Sequence, residues 1–101
     1  MAEKSSVYIC GPVTGTNDYT ERFENYEQKL NVHFDNVINP VKRLKGVFEV
    51  PENIEWNILM IECLNWLSDC THIFLMEGYE KSYGARIEKL WAEKLGLTII
   101  K

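Results

Sequence analysis

Ser82 and Glu88 stand six residues apart in the segment Ser82-Tyr83-Gly84-Ala85-Arg86-Ile87-Glu88, just past the apolar run Ile73-Phe74-Leu75-Met76 and a short polar loop. A Ser at a helix start leaves backbone N–H groups facing outward, where they can hold an anion such as phosphate. A carboxylate six residues on lies about one and a half turns into the same helix. The two side chains can therefore touch opposite ends of one small phosphorylated molecule. A second glycine-rich stretch, Tyr8-Ile9-Cys10-Gly11-Pro12-Val13-Thr14-Gly15, also follows an apolar run. Two such loops after two strands suggest one shared crevice.

Glu88 lies near the positive end of its helix, which favours the ionised form by ~0.3–1 kcal/mol in exposed settings. A carboxylate held charged is a usable nucleophile toward an anomeric carbon. Tyr8, near the end of the first strand, can donate its hydroxyl to that carboxylate and fix its rotamer. The same spacing also describes a solvated helical Glu beside Arg86 and Lys89. Ser82 reads both as a phosphate ligand and as a plain N-cap, and the two roles are compatible. Gly84 either admits a ligand close to the backbone or permits tight helix–strand packing. Gly11, Pro12, Thr14 and Gly15 lie in the loop past the first strand and are candidates for the phosphate side of the crevice. That loop is neither a Walker A nor a Rossmann fingerprint, because its spacing differs and no Lys follows. His33 and His72 read as structural, and Asp69 as a helix-terminal turn residue. Trp56, Trp66 and Trp91 read as core or interface, with one of them available to cover a base.

The elements that must position these residues follow from pattern. Residues 6–10 form a β-rich run that ends at Gly11-Pro12, and residues 11–18 are loop. A helix over 19–32 carries Phe23, Tyr26 and Leu30 as a buried stripe, with Asp18 as N-cap and Glu21 completing a capping box. Residues 35–38 are a short strand stopped by Asn39-Pro40. Residues 41–50 mix basic and apolar side chains with one Gly and have no assigned element, which leaves room for a surface loop over a site. A long helix over 51–67 starts at a Pro, where a missing N–H is harmless. Residues 71–76 are a third strand, 82–95 a third helix ended by Gly96 as its C′ residue, and 97–100 a final strand. The alternation predicts an α/β fold: a small doubly wound, flavodoxin- or Rossmann-like parallel sheet of about four strands with helices on both faces. In such sheets ligands bind beyond the carboxyl ends of the strands, at the switch point of the strand order.

The chain of 101 residues reads as a single domain over 1–101. Its net charge of −4 argues against a nucleic-acid polymer as partner, because backbone binding needs basic patches. It does not argue against a single nucleotide, since helix N-termini bind phosphate without formal charge. Cys10, Cys63 and Cys70 have no zinc spacing and read as small buried apolar residues, so neither metal nor cofactor is expected. An odd Cys count without a signal peptide points to a reducing, cytoplasmic compartment. No apolar run approaches the ~20 residues of a membrane helix. The 51–67 helix is apolar more than halfway round, which suggests packing on two sides, against the sheet and against a second subunit, in a homodimer.

With both loops in hand, the chain resembles the nucleoside 2-deoxyribosyltransferase superfamily, and within it a small phage and prophage branch. The matching residues are Tyr8 to Gly15, Asn39-Pro40, Trp56, Gly78-Tyr79-Glu80-Lys81-Ser82-Tyr83-Gly84-Ala85, Glu88, and Ala92 to Gly96. The resemblance implies that Glu88 attacks C1′ of a deoxyribose and displaces the base, with Tyr8 orienting it. Members acting on free nucleosides carry an Asp six residues before the nucleophile, and nucleotide-preferring hydrolases carry a Ser there. Ser82 therefore implies a nucleoside 5′-monophosphate ligand, and an Asp at that position would repel phosphate. The superfamily often has an Asp late in the long helix, where this chain has Cys63. That difference motivates an alternative, a module that binds or sequesters a nucleotide without catalysis. A third reading is a scaffold that dimerises through the apolar helix. The resemblance also implies the cytoplasm of a bacterium or of a phage-infected cell.

Overall fold

A computed structural model describes residues 5–13, 18–49 and 51–101. Four parallel strands alternate with helices. The strands are β1 (Ser6–Cys10), β2 (Asn36–Ile38), β3 (His72–Leu75) and β4 (Thr98–Ile100). The helices are α1 (Tyr19–Leu30), α2 (Pro40–Val47), α3 (Trp56–Ser68) and α4 (Tyr83–Leu95). The sheet order is β2-β1-β3-β4, the doubly wound arrangement expected from the alternation. The chain reverses its direction of winding between β1 and β3, so the crevice of such a sheet opens beyond Cys10 and Leu75.

Strand β1 lies at the centre, and its alternation divides the core in two. Val7 and Ile9 face one layer, with Phe23 and Leu30 of α1, Val41 of α2, and Met76. Tyr8 and Cys10 face the other layer, with Cys63 and Leu67 of α3 and Ala85 and Ala92 of α4. Side chains of a strand point alternately to opposite faces, so Tyr8 is carried to the α3/α4 side. Residues Ala85, Glu88 and Ala92 recur at helical spacing and form the buried face of α4. Register completes the placement, pairing Tyr8 with Ile73 and Cys10 with Leu75.

Several local expectations change. Asp18 stands before α1 but makes no side-chain cap bond, so the capping box with Glu21 does not form. Its ψ of 20° is not the extended geometry an N-cap uses. Most of the unassigned segment 41–50 belongs to α2, a helix that begins at Pro40. The Asn39 side chain accepts a hydrogen bond from the Lys42 N–H at 3.2 Å, and Pro40 occupies the first turn. Asn39-Pro40 therefore acts as a helix start, where the sequence pattern reads it only as a strand stop. The long helix begins at Trp56, and Pro51–Asn53 form a separate single turn of 3₁₀ helix. Ser82 and Gly96 take the roles expected of them. Ser82 accepts from the Ala85 N–H at 3.3 Å, and Gly96 adopts φ 78° at the end of α4. Among the described residues no helix is long and apolar enough to cross a membrane.

Candidate active site

Glu88 is buried to 7% exposure although it is charged in ordinary settings, and Tyr8 beneath it is fully buried. The Tyr8 hydroxyl donates to Glu88 Oε2 at 2.6 Å. This is the short O–H···O⁻ geometry of a charge-assisted bond. It joins residues eighty positions apart in the chain, and it exists because β1 and α4 pack in the same layer. Cys10 sits alongside, its thiol directed to the Ala85 carbonyl oxygen at 3.2 Å. The solvated helical Glu that the spacing also allowed is not what the fold produces.

A cavity of about 480 Å³ opens over this pair, with Tyr8, Glu88, Cys63, Ser82, Gly84 and Gly11 on its wall. It brings together five of the eight candidate residues: Tyr8, Gly11, Ser82, Gly84 and Glu88. Pro12 is buried but is not on the wall, and it lies close to Gly78, whose added Cβ would stand 3.7 Å from Pro12 Cγ. Thr14 and Gly15 lie outside the described residues. Gly84 is constrained, since a Cβ there would stand 3.2 Å from Met60 Sδ and 3.7 Å from Trp56 Cζ2. The small residue thus permits close packing of α4 on α3 at the cavity rim, a helix–helix contact where the sequence suggested a helix–strand one. Gly11 is tighter still, because a Cβ would meet the Met76 side chain, 2.9 Å from its Cβ.

Two contributors escape sequence reading. Lys81, the exposed residue before Ser82, reaches the cavity wall and adds a cation beside the helix start. Pro40, Val41 and Leu44 of α2 form an apolar stretch of the wall. Lys81 was legible as part of the loop before Ser82, but its approach to the cavity was not. The α2 wall had a local signal in Asn39-Pro40 and none for where the helix packs. Trp56 borders the cavity at half exposure, its ring 5.7 Å from that of Tyr83. Trp66 lies elsewhere, under the Arg43 guanidinium, and Trp91 donates its ring N–H to Ser68. A larger, more open hollow of about 710 Å³ runs along β2, past Asn36 and Lys42 to Trp66 and Asp69. None of the described candidate residues lines it.

The electrostatics reverse one sequence-level expectation. The helix start favours ionised Glu88, but burial outweighs it and pushes the carboxyl up to about 7, while the hydrogen bond from Tyr8 and then the adjacent Cys10 thiol hold it down. The helix-end effect is worth at most ~2 kcal/mol in partly buried geometry, and loss of water around a carboxylate costs more. Burial, and then the charge of Glu88, push the Tyr8 phenol well above its ordinary range. Burial likewise pushes the Cys63 thiol up to about 12, with Glu88 adding to it. Near neutral pH Glu88 therefore changes charge beside a Tyr8 phenol and a Cys63 thiol that stay neutral. Among the described residues no cluster of His, Cys, Asp and Glu is arranged to hold a metal ion.

A family profile, described as Domain of unknown function (DUF4406), matches residues 5–101. No curated protein and no solved structure matches the chain. The match runs from the residue before β1 to the last residue and takes in Tyr8, Ser82 and Glu88, so the chain belongs to the DUF4406 family.

Proposed function

We propose that this protein cleaves or transfers the N-glycosidic bond of a nucleoside 5′-monophosphate, as a 2′-deoxynucleotide N-hydrolase or a deoxyribosyltransferase-like enzyme. The observation that carries the reading is the buried 2.6 Å Tyr8–Glu88 hydrogen bond on the wall of a cavity that also takes in Ser82. In the proposed reaction a Glu88 carboxylate oxygen bonds to C1′ while the C1′–N bond breaks and its electron pair leaves with the base. Water then attacks C1′ and restores the carboxylate, its proton passing to the departed base, or a second base attacks in transfer and its N–H proton goes to the first. Tyr8 holds one carboxylate oxygen, which leaves the other directed to the sugar. Ser82, Lys81 and the N–H groups at the start of α4 supply the phosphate end. The resemblance to nucleoside 2-deoxyribosyltransferases supports the same reading at Tyr8, Ser82 and Glu88.

The test is incubation of the protein with a panel of ribo- and deoxynucleoside monophosphates, followed by chromatography for free base. Glu88→Ala is expected to abolish base release and to leave nucleotide-induced thermal stabilisation measurable. Unchanged turnover in that variant refutes the assignment. One observation favours a second reading, sequestration without catalysis. Cys63, where related enzymes carry an acid, borders the cavity with its thiol held neutral. Tight binding with no free base from any nucleotide would select that reading.

A further inference from the structure

The cavity wall holds one carboxyl among the described residues, Glu88. Retaining glycoside cleavage of a neutral leaving group needs two acid–base roles, a nucleophile and a proton donor for the departing atom. Glu88 can fill either role but not both at once, since attack requires it ionised and donation requires it protonated. The neighbouring protons are poorly placed for the second role. The Tyr8 proton is already committed to Glu88, and burial makes both the Tyr8 phenol and the Cys63 thiol weaker acids than usual. Lys81 adjoins Ser82, on the phosphate side.

The wall has a second character. Val41, Leu44, Leu59 and Met60 make it largely apolar, and the Trp56 and Tyr83 rings at its border are substantially exposed. Such a surface accepts a flat ring and offers few groups to read its edge. A ring bonded through nitrogen to C1′ has that nitrogen one bond from the atom Glu88 attacks. Any charge on the ring therefore lies next to a desolvated carboxylate, and aromatic faces also favour cations.

We infer that the preferred substrates are nucleotides whose base is a cation, N-glycosides of a pyridinium or an N7-alkylated purine. The inference rests on the glycosidase reading above and narrows its substrate class. In this reaction the Glu88 oxygen–C1′ bond forms as the C1′–N bond breaks. The electron pair neutralises the positive ring, so the base leaves without a proton. Water then attacks C1′, the carboxylate departs, and the proton of that water passes to solvent. A cationic base also pairs with Glu88 before reaction and favours the ionised, nucleophilic form.

The test compares N7-methylguanosine 5′-monophosphate with guanosine 5′-monophosphate, each in ribose and 2′-deoxyribose form, with nicotinamide mononucleotide as a second cation. Free base is measured by chromatography, corrected for spontaneous loss, with the full chain and its Glu88→Ala variant. The expected result is kcat/KM higher for the methylated nucleotide by ~10²–10⁴-fold, the usual contribution of a general acid, with no release by Glu88→Ala. Comparable, Glu88-dependent rates on the neutral and cationic members would overturn the inference and leave the glycosidase reading standing. No base release from any of them would overturn the inference, and no release across the wider panel of nucleoside monophosphates would overturn the glycosidase reading as well.

Discussion

Replacing Glu88 by Gln tests the physical core of the site without reference to substrate. Gln keeps the size of the side chain and an oxygen for the Tyr8 hydroxyl to donate to, and it removes the titration. Glu88 titrates near 7 in the folded chain against an ordinary 4.5. At about 1.4 kcal/mol per pH unit of displacement, that gap is worth roughly 3 kcal/mol. The folded state binds the proton more tightly than the unfolded state does. The protonated carboxyl therefore contributes its full stability below about pH 4.5, and that contribution is lost as pH rises through about 7. Other acids change stability with pH in both proteins alike, so the difference between variant and wild type is the readout. Urea or thermal unfolding at pH 5, 6, 7 and 8 should show Glu88→Gln gaining on wild type with rising pH, by up to roughly 3 kcal/mol. In a domain of this size that is ~4–8 °C in Tm per kcal/mol. A difference that stays constant from pH 5 to 8 would mean the carboxyl is solvated in both states, and the site as described would not exist.

Three further outcomes follow from the same geometry. Tyr8→Phe removes a hydrogen bond that holds the Glu88 carboxyl down, so the acid limb of a base-release pH profile should move to higher pH; an unmoved limb would show that the hydroxyl does not act on Glu88. Ser82→Asp preserves a good N-cap and places a negative charge at the phosphate end, so Tm without ligand should change little while stabilisation by nucleoside monophosphates falls below that by free nucleosides. Equal stabilisation by both, before and after substitution, would remove phosphate from the Ser82 end. Gly11→Ala drives a Cβ into Met76, 2.9 Å from its Cβ; it should lower stability by about 1–3 kcal/mol in chemical denaturation, and a neutral result would mean the β1 loop yields freely.

The strands, the order of elements and the doubly wound class were legible because they rest on short-range patterns: apolar runs broken by Gly and Pro, helical spacing in α1 and α4, and Ser82 and Gly96 as caps. Asp18 shows the limit of such patterns. A capping box is a matter of residue type in the sequence and of ψ in the fold, and only the second decides whether the bond forms. The segment after Pro40 shows another limit. Its Asn-Pro start carries a helix signal, but the helix is short, and its packing against the sheet layer of Val7 and Ile9 is a long-range event that no local pattern encodes.

From the sequence alone, Ser82 and Glu88 belong to one helix start, and Tyr8 sits on a strand that runs into a glycine-rich segment. These follow from residue type and spacing. The tertiary structure decided that Tyr8 and Glu88 meet, that α2 closes one side of the cavity above them, and that the carboxyl titrates near neutrality. The physical reason is that hydrogen bonding across eighty residues and loss of hydration both depend on what packs around a side chain, and a linear chain carries the side chains without their surroundings.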